Sequence, residues 1–236
     1  MNILVTGASK GIGFELVKFF AAKQGHIVFA VARNSGLLDK LTSECKSTES
    51  DSKIIGICVD ITEESGREKT IEIINKNVVS LDVLINNAGL LINKPFEQIT
   101  YNELKAVYDV NVFAPFSLIQ DLLPLMNSSN KKHIINISSM GGFQGSSKFP
   151  GLSAYSSSKS ALAGLTECLA EELKDKNIAV NCLALGSVQT DMLSAAFPGY
   201  KAPVNPTEIA SFIGNFALTG HHFFNGKILP VSLSTP

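Results

Sequence analysis

The chain has 236 residues, 45% of them hydrophobic and 17% charged, with a formal net charge of -1 at pH 7. That balance suits a globular protein with a sizeable core, and without a basic, aromatic-interleaved cluster it argues against nucleic-acid and membrane-surface partners. Cys45, Cys58, Cys168 and Cys182 lack CxxC or ligand-like spacing, so no metal site is expected and a reducing compartment fits.

Met1-Asn-Ile-Leu-Val-Thr-Gly7 carries no charged leader and runs straight into a strand pattern, from which a cytoplasmic protein is expected. Ile3-Leu-Val5 is a short unbroken apolar run, the mark of a strand buried on both faces. The run Thr6-Gly-Ala-Ser-Lys-Gly-Ile-Gly13 follows, then a helix with Ile12, Leu16, Phe19 and Phe20 on one face. A second strand over 26–32 ends at Arg33-Asn34, and residues 36 to about 47 read as a helix with Leu37, Leu38 and Leu41 inward. Residues 53–59 form the third strand, with Cys58 expected to pack as a small hydrophobe, as is Cys182 further on. Asp60-Ile-Thr62 comes next, and Thr62, Ser65 and the run Ile71, Ile73, Ile74 mark another helix.

Val83-Leu-Ile85 is the fourth strand and ends in Asn86-Asn-Ala-Gly89. Residues 100–126 read as a helix in two pieces broken around Ala114-Pro115. A fifth strand over 132–137 leads into Ser138-Ser139, and a helix from 153 to about 176 carries Tyr155 and Lys159. A sixth strand (179–185), a helix over 206–219 with Ile209, Phe212, Ile213 and Phe216 inward, and a short strand over 227–231 complete the chain. His221 and His222 are expected at the surface near that helix end.

Strands alternating with helices, each strand continuously apolar, predict an α/β doubly wound Rossmann fold: about seven parallel strands with helices on both faces. No linker, repeat or charge block divides the chain, so residues 1–236 read as a single domain. In such sheets ligands bind at the carboxyl ends of the strands. The loops at Thr6, Arg33, Asp60, Asn86, Ser139 and Gly186 all fall there.

Each loop offers chemistry suited to that edge. Gly7, Gly11 and Gly13 let the backbone turn tightly and let a pyrophosphate approach a helix N-terminus; a plain tight turn would use the same residues. The second strand ends Ala32-Arg33, where an NAD-preferring site would place an acid for the ribose 2′-hydroxyl. Arg33 with Ser9 and Lys10 suits a 2′-phosphate, which favours NADP(H) over NAD(H). Asp60 could cap the next turn, accept a hydrogen bond from an adenine amine, or both. Alternation sends only one of Ser138 and Ser139 toward the site. Tyr155 and Lys159, at i and i+4, share a helix face, and a cation one turn away helps lower a phenol toward an acid–base role.

The set Thr6 to Gly13, Asn86 to Gly89, Asn111, Ile137-Ser-Ser139, Tyr155-Ser-Ser-Ser-Lys159 and Gly186-Ser-Val-Gln-Thr190 resembles the short-chain dehydrogenase/reductase family in its single-domain form. The motifs occur in the family's order and span the chain from Ile3 to about Val231. The resemblance implies that Tyr155 is the general acid/base, Lys159 lowers its pKa and binds the nicotinamide ribose, and Ser139 polarises the substrate. Asn111 would hold a relay water near Lys159. It implies cofactor contacts from Gly7, Ser9, Lys10, Gly11, Ile12 and Gly13, with Arg33 at the 2′-phosphate. Asp60 and Ile61 would meet the adenine, Asn87, Ala88 and Gly89 the ribose side, and Gly186, Val188 and Thr190 the nicotinamide end. A homodimer or homotetramer through the helices around 111–126 and 153–176 is likewise implied.

Three departures stand out: Leu185-Gly186 where many members have Pro-Gly, a short apolar lid over 191–205, and Pro230 to Pro236 in place of a glycine-rich end. The expected reaction is hydride transfer between a nicotinamide and a small carbonyl or secondary alcohol. Reduction of a carrier-linked 3-oxoacyl group is the alternative within enzymes, and a non-catalytic dinucleotide sensor is the alternative outside them. The loop 140–153, with Phe143, Gln144 and Phe149, and the lid are expected to line the substrate space.

Overall fold

The computed structural model describes residues 1–46, 50–127 and 132–233, and within them seven apolar runs pair as one parallel sheet. The strands are β1 (Asn2–Thr6), β2 (Ile27–Ala32), β3 (Lys53–Cys58), β4 (Val83–Asn86), β5 (Lys132–Ser139), β6 (Ile178–Leu185) and β7 (Ile228–Val231). Their order is β3-β2-β1-β4-β5-β6-β7, so the chain winds outward from β1 to β3 and then returns to lay β4 on the other side of β1. Ile3, Leu4 and Val5 lie opposite Val83, Leu84 and Ile85 across that junction. The doubly wound α/β architecture read from the alternating pattern is thus the one observed.

Side-chain alternation explains why the strands are apolar throughout. Ile3 and Val5 point into one core with Leu16, Phe20, Leu38, Leu41, Ile209 and Ile213, while Leu4 points into a second core with Ile74, Leu118, Leu122 and Leu173. The first layer contains α1 (Gly11–Ala21), α2 (Ser35–Lys46) and α8 (Pro206–Thr219). The second contains α3 (Glu64–Asn77), α4 (Tyr101–Tyr108), α5 (Ala114–Leu122) and α6 (Ser153–Glu172). A further short helix, α7 (Asp191–Ala196), was not anticipated; Thr190 caps it by accepting from the Leu193 amide at 3.2 Å. No helix of the described residues is long and apolar enough to cross a membrane.

Several expectations need correction. The helical stretch between β4 and β5 does not break at Ala114-Pro115. Asp109–Phe113 forms a π-helical turn, with the Ala114 amide donating to the Asp109 carbonyl, and Pro115 sits in the first turn of α5 where a missing N–H breaks no bond. Leu37 is exposed because Leu38 and Leu41 take the inward row, and Phe212 is exposed because it stacks outside Phe216. Cys58 is exposed, since Ile57 takes the buried side of edge strand β3, whereas Cys182 is buried as expected. His221 is buried beside His133, their rings 5.5 Å apart. The last residue of the expected second helix, Ser47, lies outside the described residues, as do 234–236 of the C-terminal run.

Close backbone approach sets where α3 begins. A Cβ on Gly66 would lie 2.0 Å from the Asp60 carbonyl oxygen, so the start of α3 fits against the loop after β3 only without a side chain. Alanine normally favours a helix interior over glycine by about 1 kcal/mol. Gly66→Ala is nevertheless expected to lose about 1–3 kcal/mol through overpacking, read as a lower urea midpoint. A stabilised variant would contradict the close approach.

Candidate active site

A cleft of about 560 Å³ runs along the carboxyl ends of the strands. Of the catalytic and cofactor-binding residues expected from the sequence, all line it except Gly13 and Asn111. One end is made by the loops after β1, β2 and β3, and the other by the loops after β4 and β5 together with α7 and the segment beyond it.

The glycine turn is built by Thr6. Its hydroxyl accepts from the amides of Asn87 and Ala88, both at 3.1 Å, while the Asn87 amide group donates to the carbonyls of Thr6 (2.9 Å) and Gly7 (3.3 Å). Gly7 (φ +67°) and Gly11 (φ +59°) occupy the left-handed region that other residues seldom enter. Gly13 is needed for packing: its Cβ would fall 2.3 Å from the Gly7 carbonyl oxygen and 2.5 Å from Asn87 Nδ2. That places it behind the turn, off the cleft wall. Lys10 makes no side-chain cap, and the first turn of α1, Gly11-Ile12-Gly13-Phe14, holds no acid. Its amides and the helix dipole therefore present positive potential to the cleft. Lys10 lies 4.0 Å from Asp191, the first residue of α7.

At the far end, Arg33 is largely exposed and its Nη1 lies 3.5 Å from Asp60 Oδ2. The other oxygen of Asp60 accepts from the Thr62 amide (3.0 Å) and hydroxyl (2.8 Å), so Asp60 does cap its own turn. Burial raises this carboxyl, but the Thr62 hydrogen bonds and Arg33 outweigh it and leave the group below its ordinary value. Asp60 thus stays anionic and holds Arg33 at the rim. Ile61 is buried on the same wall.

Between the two ends stand Ser139, Tyr155 and Lys159. Alternation along β5 decides the serines: Ser138 is buried and donates to the Lys159 carbonyl at 2.9 Å, whereas Ser139 accepts from the Gly141 amide at 3.1 Å and lines the cleft with Tyr155. The Gly141–Gly142 turn packs directly on α6, since a Cβ on Gly142 would lie 2.6 Å from the Lys159 backbone. Lys159 Nζ donates to the Ile137 carbonyl at 2.8 Å and sits 5.8 Å from the centre of the Tyr155 ring. Burial pushes the Tyr155 phenol above its usual value, and the pull downward comes from Ser139. Burial also drives the Lys159 ammonium down to about 8.

Asn111 lies fully buried behind this group. Its Oδ1 accepts from the Leu90 amide (2.8 Å), and its Nδ2 donates to the Leu90 carbonyl and the Ser158 hydroxyl (both 2.9 Å). The side chain clamps the loop after β4 to α6 and does not line the cleft. A Cβ on Gly89 would project between Asn111 Oδ1 and Lys159 Nζ, 3.5 and 3.6 Å away.

Gly186 is held under the chain's own C-terminal stretch: a Cβ there would lie 2.5 Å from Ser232 Oγ, and its amide donates to Val231 at 2.9 Å. Val188 bridges Val204, and Thr190 faces Gly11, whose Cβ would meet its methyl at 3.5 Å. The sequence reading missed Leu91 and Ser232 on the cleft wall; of the loop 140–153, Phe149 and Leu152 reach it and Phe143 and Gln144 do not. Leu91 carries no signal beyond being apolar in a loop. Among the described residues no group of three or more His, Cys, Asp and Glu could hold a metal ion. A dinucleotide fits the cleft: an acid-free helix N-terminus meets a glycine turn, with an Arg–Asp rim at one end and half-buried Tyr155 beside buried Lys159 at the other.

A family model described as short chain dehydrogenase matches residues 1–201. L-2,3-butanediol dehydrogenase of Corynebacterium glutamicum is 36% identical over 97% of this chain and 95% of its own. A 3-oxoacyl-(acyl-carrier-protein) reductase of Aquifex aeolicus is 32% identical over 80% of this chain and 74% of its own. Among solved structures, the Pseudomonas aeruginosa RhlG/NADP active-site complex superposes with a TM-score of 0.85 at 28% identity, covering 98% of this chain and 94% of the other.

The depressed Lys159 has a consequence for stability. Below pH 8 the lysine is charged in the folded and unfolded chains alike, and the folded state bears the cost of burying it. Between about 8 and its ordinary 10.5 the folded state releases the proton first, so stability rises with pH across that window. Lys159→Met is expected to gain about 2 kcal/mol at pH 7, after loss of the Ile137 hydrogen bond, with the gain shrinking by pH 10. Urea melts at the two pH values check this; a gain independent of pH would contradict it.

Proposed function

The chain belongs to the short-chain dehydrogenase family, and on that premise we propose that it is an NADP(H)-dependent oxidoreductase interconverting a carbonyl and a secondary alcohol, with Tyr155 as general acid/base. Residues 1–236 act in this reading as one dinucleotide-binding domain. The observation that carries it is Ser139, Tyr155 and Lys159 together on the wall of a cleft that begins at a glycine-turn helix N-terminus, with the Lys159 ammonium 5.8 Å from the Tyr155 ring centre.

Members of this family bind a nicotinamide dinucleotide, which gives or takes the hydride at the reacting carbon. Ser139 donates a hydrogen bond to the substrate oxygen as negative charge develops there. Tyr155, kept protonated at neutral pH by its burial, is in the right state to hand its proton to that oxygen during reduction. The Lys159 ammonium stabilises the resulting phenolate and holds the nicotinamide ribose. Asn111 is the relay residue that holds a water near Lys159, and its side chain fixes Leu90 against Ser158 behind that lysine. The Gly7, Gly11 and Ile12 backbone receives the pyrophosphate, Asn87, Ala88 and Gly89 the ribose, Asp60 and Ile61 the adenine. Gly186, Val188 and Thr190 hold the nicotinamide end.

The preference for NADP(H) is supported by Ser9, Lys10 and Arg33 on the wall where the 2′-phosphate would lie, and by β2 ending without an acid. The NADP named for the Pseudomonas structure agrees with it. A homodimer or homotetramer is supported by Phe113 and Phe116, which stand about half exposed on the α5 side. Free cysteines, among the described residues, suit a cytoplasmic setting. A second reading, reduction of a carrier-linked 3-oxoacyl group, has the Aquifex relative in its favour. Comparing kcat/KM for carrier-bound and free 3-oxo substrates separates the two.

Tyr155→Phe should bind NADPH as the parent does and lose turnover roughly 10²- to 10⁴-fold, measured by NADPH oxidation. Unchanged turnover would remove Tyr155 from the chemistry. Arg33→Ala should weaken NADPH about tenfold, the equivalent of one charge-assisted hydrogen bond, and leave NADH nearly unaffected in a fluorescence titration. Equal losses for both would take Arg33 off the 2′-phosphate.

A further inference from the structure

Beyond Ser139 and Tyr155 the cleft wall changes character. Leu91 after β4, Phe149 and Leu152 before α6, and Met192, Phe197 and Tyr200 in and beyond α7 form it. Phe149 and Tyr200 are each 50% exposed and Met192 is 38% exposed, so apolar surface faces the cleft uncovered.

The polar groups around this wall are engaged with one another. The Ser187 and Tyr200 hydroxyls lie 3.1 Å apart, Gln189 Nε2 donates to Ser194 at 3.0 Å, and Gln189 Oε1 accepts from the Ala202 amide at 2.8 Å. Asn93 Nδ2 donates to the Ala196 carbonyl at 2.7 Å, tying the end of α7 to the loop after β4. The cations that line the cleft lie elsewhere: Lys10 and Arg33 belong to the glycine-turn end, with Asp191 and Asp60 beside them, and Lys159 donates to a main-chain carbonyl.

A ligand hydroxyl pressed against this wall loses its water for no replacement, and a carboxylate meets no cation. Resting on the hydride-transfer reading above, we propose that the substrate is an uncharged ketone or secondary alcohol carrying hydrocarbon groups, with no acid and no further hydroxyl near the reacting carbon. The wall selects by what it fails to satisfy. An apolar chain gains burial against Phe149, Met192 and Tyr200, while its hydroxylated or acidic counterpart keeps an unpaired polar group.

The test is a matched panel with the purified chain and saturating NADPH: 2-heptanone, its acid counterpart 6-oxoheptanoate, and a 2-ketohexose. The expected kcat/KM for 2-heptanone exceeds each of the others by at least about tenfold. In Phe149→Arg, which brings a cation to the rim of the wall, the ratio of 2-heptanone to 6-oxoheptanoate should fall by about tenfold. Calorimetry on the NADP⁺-loaded protein with the same three ketones, which cannot accept hydride from the oxidised cofactor, should give the same rank without turnover. Equal or better binding and turnover of the acid or the ketohexose overturn the proposal, as does a Phe149→Arg ratio that stays unchanged. Preferential binding of 2-heptanone with no turnover in the whole panel overturns the hydride-transfer reading and leaves the apolar class standing.

Discussion

The hydroxyl of Thr6 fastens the molecule at the place where its two halves part. β1 and β4 run side by side, yet the chain leaves them in opposite directions, and a gap at their carboxyl ends follows from that topology. Thr6 closes the base of the gap by accepting two amides from Asn87 and Ala88, and Asn87 answers with bonds to the carbonyls of Thr6 and Gly7. Gly7 and Gly13 complete the joint by having nothing to interpose; either Cβ would press within 3 Å of the backbone opposite. The position of α1, and hence of its positive N-terminus, depends on this joint.

A second constraint is burial of charge-bearing groups beside it. Lys159 is almost wholly buried, with one main-chain carbonyl as its hydrogen-bond acceptor, and its ammonium falls to about 8 in consequence. Tyr155 moves the other way, toward the neutral phenol. Both shifts have the same cause, desolvation of the charged form, and they move apart two groups whose ordinary values nearly coincide. Rigid packing makes this tolerable: Ser138 fixes the Lys159 backbone, Gly142 seats its turn on α6, and Asn111 locks the adjoining loop. Stability is sacrificed at Lys159 to keep a cation beside the phenol, a common arrangement where a site needs a disfavoured charge.

The alternation of apolar strands with helices was enough to derive the sheet and its two layers, because both faces of every strand need cover and only helices were available to supply it. Single positions were harder. Leu37 and Phe212 read as inward because they are apolar and sit near the right helical phase, yet a helix one residue off in rotation shows them to solvent. Cys58 and His221 were misplaced for a related reason: an apolar neighbourhood in sequence does not say which side of an edge strand is covered, nor what packs beside a loop.

At the site, Tyr155, Lys159, Ser139 and the glycine turn were legible because their spacing ties each to a local element whose geometry follows from the chain alone: i and i+4 on one helix, a strand end, a turn before a helix. Residue type and spacing thus determined which elements exist and which loops share the carboxyl edge. Tertiary packing decided the rest. It drew Asn111 into a clamp through a π turn that Pro115 appeared to forbid, used Gly13 as a spacer, set Asp60 against Arg33, and seated Ser232 over Gly186. Each of these contacts joins residues far apart in the chain, and local preference contains no information about a partner that arrives only when the sheet closes.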